Sequence, residues 1–194
     1  MKFKNINIGF GICGSFCNHS LVKNIITDLK TEGANIIPII TKSVKTTDTR
    51  FGEAKTFIEY LEKETGNKVI DSIVKAEPIG PKNMVDIILV APCTGNTLAK
   101  FANGIMESPV LLSVKSHLRN LKPVVIAIST NDGLGLSFEN LGKLYNTKNI
   151  YLVPFTQDDY IKKPNSLVFK KEKVIDTIEK ALEGKQIQPI IKEK

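Results

Sequence analysis

The chain has 194 residues, with 27 basic and 20 acidic side chains and a net charge of +7 when both histidines are neutral. At roughly 150 residues per domain this is little more than one domain, long enough to bury a full core without disulfides or metals. An apolar fraction of 42% with thirteen glycines and nine prolines excludes disordered, collagenous and coiled-coil chains.

From Tyr160 to Lys194 nine basic and five acidic residues carry +4 of the +7, leaving +3 on the rest. Only Arg50 and Arg119 are arginines, and no basic stripe interleaved with aromatics appears, so no nucleic-acid partner is expected. Cys13, Cys17 and Cys93 are too few and odd in number for a disulfide framework, and no secretory leader precedes them; the expected compartment is the cytoplasm. The longest apolar runs, Ile36 to Ile40 and Ile87 to Ala91, fall far short of the roughly 20 residues of a membrane helix.

In chain order, Asn5 to Gly11 reads as a strand, followed by the glycine loop Gly11-Ile12-Cys13-Gly14-Ser15. A helix follows from about Ser15 to Thr31, with Leu21, Ile25, Ile26 and Leu29 on one face and Gly33 to end it. Asn35 to Thr41 is a second strand, placed at an edge because Pro38 removes a ladder donor. A polar loop spans Lys42 to Phe51, and Ala54, Phe57, Ile58 and Leu61 mark a helix that Gly66 terminates. Val69 to Lys75 fits a buried strand or, preferably, a short helix.

Val85 to Ala91 is continuously apolar after Asp86, as a strand covered on both faces should be, and is placed at the sheet centre. Thr94 or Asn96 caps a helix running to Gly104, and Ser108-Pro109 opens another to about Leu118. Val124 to Ser129 and Ile150 to Phe155 are further strands, separated by a helix near Phe138 to Tyr145. Thr156 to Ser166 reads as an arm or lid, and Lys171 to Leu182 as a final helix ended by Gly184. This βαβα alternation predicts an α/β fold: a three-layer, Rossmann-like (flavodoxin-like), mostly parallel sheet with helices on both faces. One unit is expected over 1–184, with 156–170 as the arm or lid, and 185–194 as a C-terminal tail.

In such a sheet ligands sit beyond the C-terminal ends of the strands. The Gly11–Ser15 loop offers backbone N–H groups and a helix N-terminus suited to an anion; a tight packing turn accounts for it equally well. It is neither GxGxxG nor GxxxxGK[ST], which argues against dinucleotides and nucleoside triphosphates. Thr41 and Ser43 can add hydroxyls. The loops Ala91 to Thr97 and Ser129 to Gly133 supply Thr, Asn and Ser groups beside turns. Cys13 at a helix N-terminus would have a lowered thiol pKa, whereas free cysteines commonly serve as small apolar fillers.

The run Ala91-Pro92-Cys93-Thr94-Gly95-Asn96-Thr97-Leu98-Ala99-Lys100-Phe101-Ala102-Asn103-Gly104-Ile105 resembles the AP-x-[ST]-x-N-[TS]-x-x-K-x-A-x-G-I signature of flavoproteins that include phosphopantothenoylcysteine and peptidyl-cysteine decarboxylases and flavin prenyltransferases. The resemblance implies FMN at the interface between copies in a trimer or a multiple of it. Carried onto this chain, it assigns the phosphate to Gly14, Ser15, Thr41 and Ser43, and the ring and ribityl chain to Pro92, Thr94, Asn96, Ser129 and Asn131, with Gly11 and Cys13 of the first loop also counted as cofactor-binding. The histidine and the Pro-x-Met-Asn clamp of the decarboxylases have no counterpart; the only histidines, His19 and His117, fall on helices. Decarboxylation is therefore disfavoured.

Thr47 to Gly52, Val74 to Pro78, Ile128 to Asp132 and Lys162 to Ser166 resemble a narrower family, the flavoprotein-like subunits of the oxidoreductases that form the dipicolinic acid of bacterial spores. That resemblance implies oxidation of a dihydrodipicolinate-type precursor, with NAD(P) on a dehydrogenase-like partner and no metal. Arg50, Lys162 and Lys163 are the candidates for holding the two carboxylates. A non-catalytic oligomeric scaffold for that partner, and a stand-alone FMN-dependent decarboxylase or prenyltransferase, are the competing readings.

Overall fold

The computed structural model describes residues 1–191; Lys192 to Lys194, the end of the expected tail, lie outside the described residues. β1 (Asn7–Ile12), β2 (Asn35–Ile40), β3 (Ile87–Cys93) and β4 (Val124–Thr130) form a parallel sheet in the order β2-β1-β3-β4. β5 (Ile150–Leu152) pairs in parallel with the first half of β4. β6 (Phe155–Asp159) and β7 (Lys163–Phe169) form an antiparallel hairpin that joins the end of β4 through β7. The expected mostly parallel α/β architecture is the observed one.

Alternation along the central strands explains the three layers. Ile8, Phe10 and Ile12 of β1 and Ile87, Leu89 and Ala91 of β3 face one core, which α1 (His19–Thr31), α3 (Ala54–Thr65) and α8 (Val174–Leu182) cover with Ile25, Leu61 and Ile178. Ile88 and Val90 of β3 and Ile126 of β4 face the other, beneath α5 (Gly95–Ala102), α6 (Pro109–Arg119) and α7 (Ser137–Tyr145). A side chain filling one of these positions gives about 1.5–3 kcal/mol on burial, so the sheet is held from both sides. Gly66 ends α3 in the left-handed region at φ 70°, where glycine carries no Cβ penalty.

Four expectations are corrected. The loop from Lys42 to Phe51 contains α2 (Lys42–Thr46), a short helix fixed by the buried Val44. The segment Val69 to Lys75 is not only a helix: Ile70 bridges Ile39 of the edge strand before α4 (Ile73–Ala76) begins. Ile150 to Phe155 is two strands, because the chain turns at Val153 and Pro154. The expected arm is the β6–β7 hairpin, part of the sheet itself; Ser166 Oγ donates to the Thr130 carbonyl at 3.3 Å and anchors it. β2 lies at the sheet edge, as its proline requires.

Candidate functional site

Between β1 and β3 the strand order reverses: the chain winds outward from β1 to β2, then crosses back to β3. The loops leaving β1 and β3 therefore diverge and open a crevice at the C-terminal edge of the sheet. Two hollows occupy it, of about 490 Å³ and 610 Å³, and both are lined by Gly14 and Thr94. Each falls within the size range of small-molecule sites.

The first hollow lies between the β1 loop, the end of β4 and the hairpin. Its walls include Ser15, Phe16, Asn18, Arg50, Ser129, Asn131 and Lys163. Asn18 donates from Nδ2 to Ser15 Oγ at 2.8 Å and to Ser129 Oγ at 2.9 Å, joining two loops 111 residues apart in sequence. Arg50 sits in a turn closed by mutual backbone bonds between Thr49 and Gly52, its guanidinium 4.9 Å from the Phe51 ring centre. Among the described residues no carboxylate lies within ion-pair distance of it. Lys163 pairs with Asp158 across the hairpin at 2.8 Å, and that hydrogen bond raises the ammonium's pKa.

The second hollow lies between α2, α5 and the start of α6. Thr41, Lys42, Ser43, Asn96, Lys100 and Ser108 line it. Thr41 Oγ1 and Ser43 Oγ are 2.9 Å apart and share a hydrogen, and Lys100 is paired with Glu107. Thr94 caps α5 by accepting from the Thr97 N–H, which turns the helix N-terminus towards the crevice. A Cβ on Gly14 would lie 2.8 Å from Ser43 Oγ and crowd that side chain where the two hollows meet.

Of the sequence-predicted site residues, Gly14, Ser15, Thr94, Ser129, Asn131, Arg50 and Lys163 line the first hollow, and Thr41, Ser43 and Asn96 the second. Gly11, Cys13 and Pro92 line neither; all three are buried beneath the crevice. A Cβ on Gly11 would meet Val110 of α6 at 3.0 Å, so its bareness serves helix packing. Lys162 stands on the hairpin turn, its N–H bonded to Asp159 Oδ1, and also lines neither hollow.

The lowered thiol pKa expected for Cys13 is corrected: burial pushes it up to about 11, against partial relief from the Thr97 hydroxyl and the Thr94 backbone. Cys93 is raised by burial and by its proximity to Cys13. Neither histidine lines a hollow; His19 stacks on Phe57 with ring centres 3.9 Å apart. Sequence reasoning missed Phe16, Asn18, Lys42, Thr130 and Asp158, although each lies within a few residues of a loop it had singled out. A crevice lined by hydroxyl donors and cations, with a helix N-terminus at its floor, can take an anionic ligand with hydrogen-bonding edges.

The chain belongs to the flavoprotein family: the family model described as Flavoprotein matches residues 2–180. Within that class it is 50% identical over 192 residues, covering 99% of this chain and 96% of the relative, to the B subunit of dipicolinate synthase from Bacillus subtilis (strain 168). The crystal structure of the B subunit of dipicolinate synthase from Bacillus halodurans is 48% identical, with 100% of each chain covered and a TM-score of 0.91. The FMN-dependent cysteine decarboxylase SpaF shares the fold at a TM-score of 0.67, with 18% identity over 91% of this chain and 95% of that one.

Proposed function

We propose that this chain works as the B subunit of a dipicolinate synthase, taking part with a dehydrogenase-like partner in the oxidation of a dihydrodipicolinate-type precursor to dipicolinate during spore formation in the cytoplasm. The observation that carries the proposal is identity of about half maintained over 99% of the chain, too extensive to reflect the fold alone. The reaction removes two electrons and two protons from a cyclic dicarboxylate, and aromatisation drives it. The chain's task is then to orient the ring and hold its carboxylates.

Arg50 and Lys163 both line the first hollow, one from the β2–α3 connection and one from the hairpin. In this reading each takes one carboxylate, Arg50 through two parallel N–H bonds. Phe16, Phe51 and Leu167 supply the apolar lining that excludes water from the ring. Lys162 stays outside the hollow.

Flavin mononucleotide fits the same crevice. The bare Gly14 backbone, the Ser15, Thr41 and Ser43 hydroxyls and the Lys42 ammonium suit its phosphate, and Thr94, Asn96, Ser129 and Asn131 offer groups for its ribityl chain and ring edge. Bound flavin would supply a two-electron acceptor beside the substrate. NAD(P) belongs to the dehydrogenase-like partner in this reading, and a homo-oligomer, a trimer or a multiple of it, closes the open side of the crevice.

The direct test measures dipicolinate formation by this chain alone, by the dehydrogenase-like partner alone and by both together. Turnover that needs both supports the proposal. Full activity of the partner alone would leave this chain a scaffold, and turnover of a cysteine peptide by this chain alone would favour the decarboxylase reading.

A further inference from the structure

We infer that Asp132 is a positioning residue for the crevice: its carboxylate latches the loop after β4 onto the first residue of α5 and so sets the spacing of the two polar loops on either side. The inference rests on the flavin reading above and names what holds that reading's hydrogen-bonding groups in place. Thr130 Oγ1 and Ser137 Oγ both donate to Asp132 Oδ1, the second at 2.9 Å. The Asp132 carbonyl in turn accepts the Gly135 N–H at 2.8 Å and the Ser137 N–H at 3.3 Å, which closes the loop on itself.

These three side chains meet at Gly95. A Cβ there would lie 2.6 Å from Thr130 Oγ1, 2.8 Å from Asp132 Oδ1 and 2.9 Å from Ser137 Oγ, so the cluster packs directly on the glycine backbone that opens α5. Gly95 stands between Thr94 and Asn96 in the chain, and Thr130 between Ser129 and Asn131. The four residues given above to the ribityl chain and ring edge therefore flank the two residues that meet. On its other side the loop is tied to the hairpin, through Ser166 Oγ on the Thr130 carbonyl at 3.3 Å and the Leu134 N–H on the Asn165 carbonyl at 3.0 Å.

Asp132 and Ser137 line neither hollow, so any effect of either on a ligand passes through the loops. An asparagine at this position keeps an oxygen with two lone pairs for the same two hydroxyls and loses only the charge; an alanine loses both. The experiment titrates FMN into the full-length chain by flavin fluorescence and records the circular dichroism of the bound flavin's visible band. It compares wild type with D132N, D132A, S137A and the double variant D132A/S137A, with Tm checked for each so that loss of folding is not read as loss of binding.

Asp132→Ala should raise the Kd for FMN about tenfold and alter the visible dichroism, which reports how the ring is held, whereas D132N should stay within about twofold of wild type with the dichroism unchanged. S137A should lose about threefold, and the double variant no more than D132A, because the Ser137 hydroxyl acts through the carboxylate. Wild-type affinity in D132A, an equal loss in D132N, or multiplied losses in the double variant would overturn the inference. A second arm needs no flavin: amide hydrogen exchange across Ser129 to Ser137 should quicken in D132A and not in D132N. Unchanged exchange in D132A would overturn the latch, whereas a wild-type chain that binds no FMN would overturn the flavin reading alone.

Discussion

His117 makes the stability of this fold depend on pH in a way that can be worked out from its surroundings. It lies in the last turn of α6, 1% exposed, with Nε2 buried and unpartnered. Burial and then the Lys122 charge push its pKa from 6.5 down to about 4, against the opposing backbone of Pro123 and Asp86 and the Asp86 carboxylate. A base whose folded pKa is depressed binds its proton more readily when unfolded. Its contribution is therefore complete above the unfolded value of 6.5 and is lost as pH falls through the folded value of about 4.

A displacement of about 2.5 pH units at 1.36 kcal/mol each sets a ceiling of about 3 kcal/mol, of which about 2 kcal/mol is gone by about pH 5. For a chain of this size that lowers Tm by about 4–8 °C. His117→Gln removes the titration, so thermal unfolding of wild type and H117Q at pH 7, 6 and 5 isolates it from every other group. The difference in Tm between the two proteins should shrink or change sign as pH falls. Parallel Tm curves across that window would show that the imidazole is not held neutral by its burial, and would refute the reasoning.

Gly14→Val should raise the Kd for FMN at least tenfold while shifting Tm by only a few degrees, because the new side chain enters the space beside Ser43; flavin fluorescence titration reads the first and calorimetry the second. Arg50→Ala should raise the KM of the reconstituted pair for its precursor by about 10- to 100-fold with kcat largely unchanged, the signature of a binding contact, and Arg50→Lys should recover part of it. Native alkylation followed by mass spectrometry should place one adduct, on the exposed Cys17, and three after denaturation, since Cys13 and Cys93 are buried with raised thiol pKa values.

The doubly covered strands were legible in the sequence because burial on both faces leaves a continuous apolar run, as in Val85 to Ala91. The hairpin was not. Thr156, Gln157 and Asp158 of β6 and Lys163 to Asn165 of β7 are exposed, so that stretch carries no alternating pattern and reads as a loop. Ile70 likewise pairs through a single bridge, too little to impose a period on its neighbours.

At the site, the polar loops after β1, β3 and β4 could be found because parallel sheets place function at those ends. The Asn18 bridge could not, since Ser129 lies 111 residues away and nothing local marks the pair. Cys13 was misjudged for a related reason: its loop position suggested an exposed helix terminus, whereas the strand alternation of β1 carries its side chain into the core with Val90 and Cys93.

A crystal structure of the holo chain with pyridine-2,6-dicarboxylate tests the central claim most directly. The account predicts density for the diacid in the first hollow, one carboxylate on the Arg50 guanidinium and the other within reach of Lys163. A diacid bound elsewhere on the chain, with that hollow empty of it, would contradict the account.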